Sequence, residues 1–377
     1  MKSIMHRRRV MIIVGTRPEA IKMAPVYLAL KNEPQLDVCL VITGQHHSML
    51  DQVLVVFGLK PDIKLDVMNS NQSLGELSTR LLTNMQSVVA ENRPSAVLVH
   101  GDTTTCLFAA LAAFYEGVPI GHVEAGLRTY KFEAPWPEEM NRRLVDPLCK
   151  WCFAPTERAA RNLLSERIPK ESIFVTGNTV VDSLLWARSM VKRNQLKIPH
   201  LPIDVEDHHR LILVTGHRRE SFGKPLQDFC MGLRDAIRAH EDTILVYPVH
   251  LNPNVQQVVR ACLDGHDRIF LIPPVSYIEM VYLLEASYMV ITDSGGIQEE
   301  APAFHKPVLV TRDYTERPEA IELGLAKIVG TSREKISAEV HRLLCDPLVY
   351  KKMSEGRNPY GDGQASKRIT RILLETI

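Results

Sequence analysis

Short, almost uninterrupted apolar runs recur along this chain between longer stretches with helical spacing. In the first half they are Val10 to Val14, Val38 to Thr43, Ala96 to His100, Pro119 to Val123 and Ile173 to Thr176, with a further strand-like segment at Trp151 to Ala154. The second half repeats the pattern at Leu211 to Thr215, Thr243 to Tyr247, Arg268 to Ile272, Tyr288 to Thr292 and Pro307 to Thr311. Apolar runs without polar alternation suit parallel strands buried on both faces and joined by crossover helices. The pattern predicts an α/β chain of two doubly wound, Rossmann-like units. Gln195 to His209, with Pro199, Pro202 and a charged, His-containing tail, reads as the linker. The expected domains are therefore residues 1–194 and 210–364. A last helix, from about Ala365 to Ile377, follows the turn-rich Asn358-Pro359-Tyr360-Gly361-Asp362-Gly363 and is expected to cross back to the first domain.

Composition narrows the function. The chain has 377 residues, too many for one ordinary core and suited to two. Its 45% hydrophobic and 24% charged residues describe a globular protein rather than a disordered one. Lys plus Arg is 45 against 44 for Asp plus Glu, which argues against a nucleic-acid partner. With so little net charge, any anionic ligand must be held by local groups. No apolar run approaches the roughly 18 residues of a membrane span. The basic Arg7-Arg8-Arg9 is followed by too short an apolar stretch for a signal segment, so the expected location is the cytoplasm, away from membrane. Seven cysteines, an odd number, do not suggest a disulfide framework. Cys149 and Cys152 have the spacing of half a zinc site, but no second such pair exists and they run into an apolar strand, so they are expected to be core thiols.

Ligands of open α/β sheets bind outside the carboxyl ends of the strands, so the residues after each apolar run matter most. After the first comes Gly15-Thr16-Arg17-Pro18-Glu19-Ala20-Ile21-Lys22, with Pro18 suited to a helical first turn and Arg17 placed to grip a phosphate. Arg17 and Lys22 are ligand-binding candidates. The segment is not GxGxxG, which disfavours NAD. His100-Gly101-Asp102-Thr103-Thr104-Thr105 opens the next helix, where Asp102 or a Thr is either the N-cap or, for Asp102, a catalytic carboxylate. Glu124, in His122-Val123-Glu124-Ala125-Gly126-Leu127-Arg128, has poorer capping geometry and reads as catalytic or ligand-binding. In Pro135-Trp136-Pro137-Glu138-Glu139 both acids suit a helix start; Glu138 is the better site candidate, with Arg142 at i+4 holding its charge or gripping ligand.

In the second half His217, in Gly216-His217-Arg218-Arg219-Glu220, can donate to a phosphate or move a proton near neutral pH. Asp293-Ser294-Gly295-Gly296-Ile297-Gln298-Glu299-Glu300 joins a strand to a helix, so the amides of Ser294, Gly295 and Gly296 can face a diphosphate. Glu300 can reach sugar hydroxyls, and Arg317 adds a cation to the same side. There is no Walker A motif, which disfavours ATP hydrolysis. Together these segments suit a nucleotide diphosphate anchored by the second domain, with its sugar presented to Asp102, Glu124 and Glu138 of the first. Carboxylates in different environments can divide general acid and base work.

These segments, with Thr176-Gly177-Asn178-Thr179, resemble the non-hydrolysing UDP-N-acetylglucosamine 2-epimerases over nearly the whole chain. The resemblance implies a GT-B-like fold, two Rossmann-like domains facing a central cleft, in a homodimer. It implies reversible interconversion of UDP-GlcNAc and UDP-ManNAc through 2-acetamidoglucal, needing neither NAD nor metal and supplying ManNAc-derived sugars for surface polysaccharide. Asp102, Glu124, Glu138 and His217 match the catalytic positions. Arg17, Lys22, Arg142, His217, Ser294, Gly295, Gly296, Glu300 and Arg317 match substrate or UDP contacts. Gln45, Arg218 and His250 fall at positions of a second, activating UDP-GlcNAc. The alternatives are a hydrolysing epimerase and a GT-B glycosyltransferase.

Overall fold

The computed structural model describes residues 7–44, 47–69, 71–133, 135–194, 198, 200–202, 210–216, 222–313, 315 and 317–377. The chain divides into two compact units, Met1–Leu185 with Tyr360–Ile377, and Trp186–Pro359. The change of unit falls inside a helix, ahead of the expected linker, most of which lies outside the described residues.

Unit 1 carries strands β1 (Arg8–Val14), β2 (Leu36–Ile42), β3 (Ile63–Lys64), β4 (Ala96–His100), β5 (Ile120–Val123), β6 (Trp151–Ala154) and β7 (Ile173–Val175). Its helices are α1 (Arg17–Lys31), α2 (His47–Phe57), α3 (Leu74–Asn92), α4 (Thr104–Tyr115), α5 (Glu138–Val145), α6 (Glu157–Ser165) and α7 (Thr179–Asn194), which continues into unit 2. Unit 2 carries β8 (Arg210–Thr215), β9 (Thr243–Pro248), β10 (Ile269–Ile272), β11 (Met289–Thr292), β12 (Val308–Val310) and β13 (Ala326–Ile328). Its helices are α8 (Lys224–Ala239), α9 (Pro253–Leu263), α10 (Tyr277–Ala286), α11 (Gly295–Glu300), α12 (Pro318–Glu322), α13 (Arg333–Cys345) and α14 (Pro347–Ser354). The last helix, α15 (Ala365–Thr376), belongs to unit 1 and packs on α1.

Both sheets are wholly parallel, in the order β3-β2-β1-β4-β5-β6-β7 and β10-β9-β8-β11-β12-β13. The unbroken apolar runs have the reason expected of them: Val10 to Val14 and Leu211 to Val214 are at most 1% exposed because helices cover both faces. In unit 1, Met11, Ile13, Val97 and Val99 pack on Met85 and Val89 of α3 and Ala109 and Ala113 of α4. In unit 2, Ile212, Val214 and Leu245 pack on Phe229 and Leu233 of α8 and Ile336 and Val340 of α13. Each fully buried Val, Leu, Ile or Phe contributes roughly 1.5–3 kcal/mol. The N-terminal half of α7 locks α15 in place, since Asp182 accepts from the Ala365 and Ser366 amides at 3.2 and 2.9 Å. No described helix is long and apolar enough to cross a membrane.

Candidate active site

Strand order reverses between β1 and β4 in unit 1 and between β8 and β11 in unit 2, and such a reversal opens a crevice at the carboxyl ends of the strands. Arg17 follows β1, Asp102 follows β4 and Glu124 follows β5, so all three sit on that edge of unit 1.

The β1–α1 turn is fitted to its neighbours. A Cβ on Gly15 would stand 2.7 Å from the Thr43 hydroxyl and closer still to that of Thr105, so only glycine leaves room there. Pro18 lies in the first turn of α1, where a missing N–H costs nothing, and half-buried Arg17 starts the helix. Glu19 is buried and accepts from the Gly15 and Thr16 amides at 2.9 and 2.7 Å and from the Thr103 hydroxyl at 2.6 Å. Burial pushes its pKa up, against the Thr103 hydrogen bond, which lowers it. Glu19 thus ties the turn after β1 to the turn after β4. Sequence reasoning gave it no role, although Thr followed three residues later by Glu at a helix start is a legible signature.

The α4 N-cap is Thr103, whose hydroxyl accepts from the Cys106 amide at 3.0 Å. Of the N-cap candidates left open above, Thr103 takes the position, and the Asp102 carboxylate pairs with Arg142. Arg142 was expected either to hold the charge of Glu138 at i+4 or to grip ligand; its guanidinium pairs with Asp102 and, at 3.3 Å, with Glu139. The physical reason is that α5 runs beside the β4–α4 turn, where Asn141 also donates to the Asp102 carbonyl at 2.9 Å. Glu139, fully buried, is more than a helix-start acid, for it accepts from the Thr129 and Tyr130 amides at 3.0 and 2.9 Å and folds that loop onto α5. Glu138 is half-buried in the first turn of α5.

Glu124 has a left-handed backbone, φ 72°, which costs a non-glycine residue about 1–3 kcal/mol. Its amide and that of Ala125 both donate to the Phe153 carbonyl at 3.1 Å, which holds the turn. One carboxylate oxygen meets the Lys22 ammonium at 2.5 Å, His100 Nε2 at 3.3 Å and Asn178 Nδ2 at 3.4 Å. Lys22 is itself buried, so the structure brings two expected site residues, Lys22 and Glu124, into direct contact.

Beneath this edge runs a buried charge network that no motif announced. His122 Nδ1 lies 2.6 Å from Asp146 Oδ1, and its Nε2 lies 2.7 Å from the carbonyl of Gly101, the residue before Asp102. Arg128 Nη2 bridges Asp146 at 2.5 Å and Glu166 at 2.7 Å. Burial acts to raise the Asp146 pKa, but the charges and hydrogen bonds of His122 and Arg128 outweigh it and hold the group below the usual carboxylate range. Sequence separations of 18 to 38 residues hide such a network from any spacing rule.

On the corresponding edge of unit 2, Gly216 follows β8 and Ser294 follows β11. Tyr247 donates to the Gly216 carbonyl at 2.8 Å, and the Thr215 and Thr292 hydroxyls lie 2.6 Å apart, joining β8 to β11 at their ends. The Ser294 side chain makes no capping bond to α11. Arg317, which caps α12, bonds Glu299 at 2.7 Å, and a Cβ on Gly295 would meet its guanidinium at 2.7 Å. Glycine at 295 therefore lets a cation lie against the start of α11, with Gly296 beside it and Glu300 buried at its end. His250 is exposed after β9. His217, Gln45 and Arg218 lie outside the described residues.

The expected core thiols are as read: Cys152 is buried, Cys149 half-buried, both are free, and burial pushes the Cys149 pKa up.

A fold likeness at 13% identity and TM-score 0.65, to the glycotransferase of kitacinnamycin over 98% of this chain and 99% of that one, shows the architecture alone: the chain has a GT-B-like fold. The family model described as UDP-N-acetylglucosamine 2-epimerase matches residues 28–374. The UDP-N-acetylglucosamine 2-epimerase of Escherichia coli K12 is 49% identical over 370 residues, 97% of this chain and 98% of that protein. The UDP-GlcNAc 2-epimerase of Neisseria meningitidis, solved bound to UDP-GlcNAc, superposes with TM-score 0.91 at 45% identity, over 98% of this chain and 100% of that one. The chain belongs to the UDP-N-acetylglucosamine 2-epimerase family.

Proposed function

We propose that this chain is an isomerase that interconverts UDP-N-acetylglucosamine and UDP-N-acetylmannosamine without hydrolysis, by elimination and re-addition of UDP through 2-acetamidoglucal. The observation that carries the reading is the pairing of acids with cations on the ligand edge of unit 1, Lys22 on Glu124 and Arg142 on Asp102, in a chain of this family. The C2 proton of the sugar is not next to a carbonyl, so its removal alone lacks stabilisation. Departure of the diphosphate supplies it. The C1–O bond breaks with its electron pair going to UDP, a carboxylate takes the C2 proton, and the C1=C2 bond forms. UDP then re-adds at C1 while a proton returns to the other face of C2. Inversion needs an acceptor on one face and a donor on the other, which is work for more than one of Asp102, Glu124 and Glu138.

The charge developing on leaving UDP is met by Arg17, His217, Arg317 and the turn at Ser294, Gly295 and Gly296, with Glu300 on the ribose. Gln45, Arg218 and His250 take a second, activating UDP-GlcNAc. Each step is redox-neutral overall, so the route calls for no nicotinamide. The chain works as a cytoplasmic homodimer, and its product feeds ManNAc-derived sugars to surface polysaccharide.

The test is rapid quenching of enzyme with UDP-GlcNAc, followed by mass spectrometry. Free 2-acetamidoglucal and UDP at low levels beside UDP-ManNAc are expected. Stoichiometric free ManNAc and UDP would make the enzyme hydrolysing.

A further inference from the structure

Three metal-ligating side chains meet at the end of unit 2 away from its ligand edge. His240 caps the carboxyl end of α8 and leads into β9 at Thr243, so it stands by the amino ends of the strands, opposite Gly216 and Ser294. His341 and Cys345 lie four residues apart on the last turn of α13, which places them on one helix face. The packing of α13 on α8 brings the three together across 101 residues of sequence. His240 Nε2 is 3.1 Å from His341 Nδ1, and Cys345 Sγ is 3.8 Å from the same nitrogen. One ligand atom from each residue falls within 4.8 Å of the others.

The two separations at His341 Nδ1 lie about 0.2 Å to either side of those a tetrahedral ion requires, a difference that small side-chain rotations close. Bonds of about 2.0–2.1 Å to nitrogen and about 2.3 Å to sulfur give ligand separations of roughly 3.3–3.6 Å. We propose that His240, His341 and Cys345 bind one transition-metal ion of the zinc class, with solvent at the fourth position. Two imidazoles and a thiol select such an ion over calcium or magnesium, which prefer oxygen. The Cys345 thiol gives its proton to solvent as the sulfur–metal bond forms. His341 and Cys345 are exposed, so an ion has a path in. The cations beside the cluster are engaged elsewhere: Arg268 donates to the His240 carbonyl, and Arg210 bonds the Leu344 carbonyl at 2.6 Å and pairs with Asp242 at 2.5 Å. The His240 amide donates a hydrogen bond to the Ile237 carbonyl. A bound ion would clamp the ends of α8 and α13 and leave the ligand edge unaltered.

The test uses the untagged full chain stripped of metal and titrated with cobalt(II). One equivalent should give a near-ultraviolet thiolate-to-cobalt band that zinc abolishes by displacement, and zinc should raise the melting temperature. In Cys345→Ser, an exposed and conservative change, the band should vanish; in His341→Ala both band and zinc-dependent melting shift should vanish. Circular dichroism checks that each variant is folded. Absence of the band in the parent protein, or a band and melting shift unchanged in Cys345→Ser, would overturn the proposal.

Discussion

Arg128→Met removes the centre of the buried network under the β4–α4 turn and keeps a side chain of similar length. The guanidinium is wholly buried and bonds Asp146, the Leu127 carbonyl and, twice, Glu166. Its loss leaves Asp146, which has no solvent exposure, facing His122 alone. Removing one partner of a buried ion pair costs about 3–5 kcal/mol, because the other charge is stranded. The low end applies here: His122 remains, and Glu166, a fifth exposed, keeps water and Arg143 at 3.7 Å. About 3 kcal/mol in a unit of about 200 residues lowers its melting temperature by roughly 6–12 °C. Urea unfolding followed by circular dichroism measures it. The Asp146 pKa is depressed by folding, so the stability it confers is full above the ordinary carboxylate range and is lost as pH falls through its folded value. The gap between parent and variant should therefore narrow on acidification. Adding Asp146→Asn should recover part of the loss, since the stranded charge goes with it. A cost under about 1 kcal/mol, the level of a surface pair, or a gap indifferent to pH, would refute the reasoning.

Gly15→Ala should destabilise unit 1 by about 1–3 kcal/mol in the same assay, because the new methyl is driven against the Thr43 and Thr105 hydroxyls. Glu138→Gln should lower turnover at least 100-fold while calorimetry shows UDP binding unchanged, the loss expected of a proton-moving group. Gly295→Ala should displace Arg317 from Glu299 and weaken UDP binding roughly tenfold, about 1.4 kcal/mol, and unchanged affinity would remove that turn from the diphosphate site.

Much of this was legible in the sequence. Strands such as β1, β4, β8 and β11 are buried on both faces and so announce themselves as apolar runs, and the candidate site residues were sought in the turns that follow them. The edge strands β3 and β13 are two and three residues long and partly exposed, and they leave no such run. Local rules failed where the fold supplied a better partner. The i+4 spacing offered Glu138 as a partner for Arg142, but the turn after β4 delivers Asp102 from 40 residues away. At the start of α4 the sequence left Asp102 and the threonines after it as rival N-caps, and the structure gives the position to Thr103. His122, buried and bonded to the carbonyl of Gly101 and to Asp146, holds the β4–α4 turn through contacts that appear only when β4, β5 and the end of α5 are packed.

The most direct measurement is NMR of the purified protein with UDP-GlcNAc in D₂O, with no added metal or NAD. The account predicts UDP-ManNAc carrying deuterium at C2, since the C2 proton leaves and returns from exchanging groups. UDP-ManNAc retaining protium at C2, or free ManNAc accumulating with UDP, would contradict it.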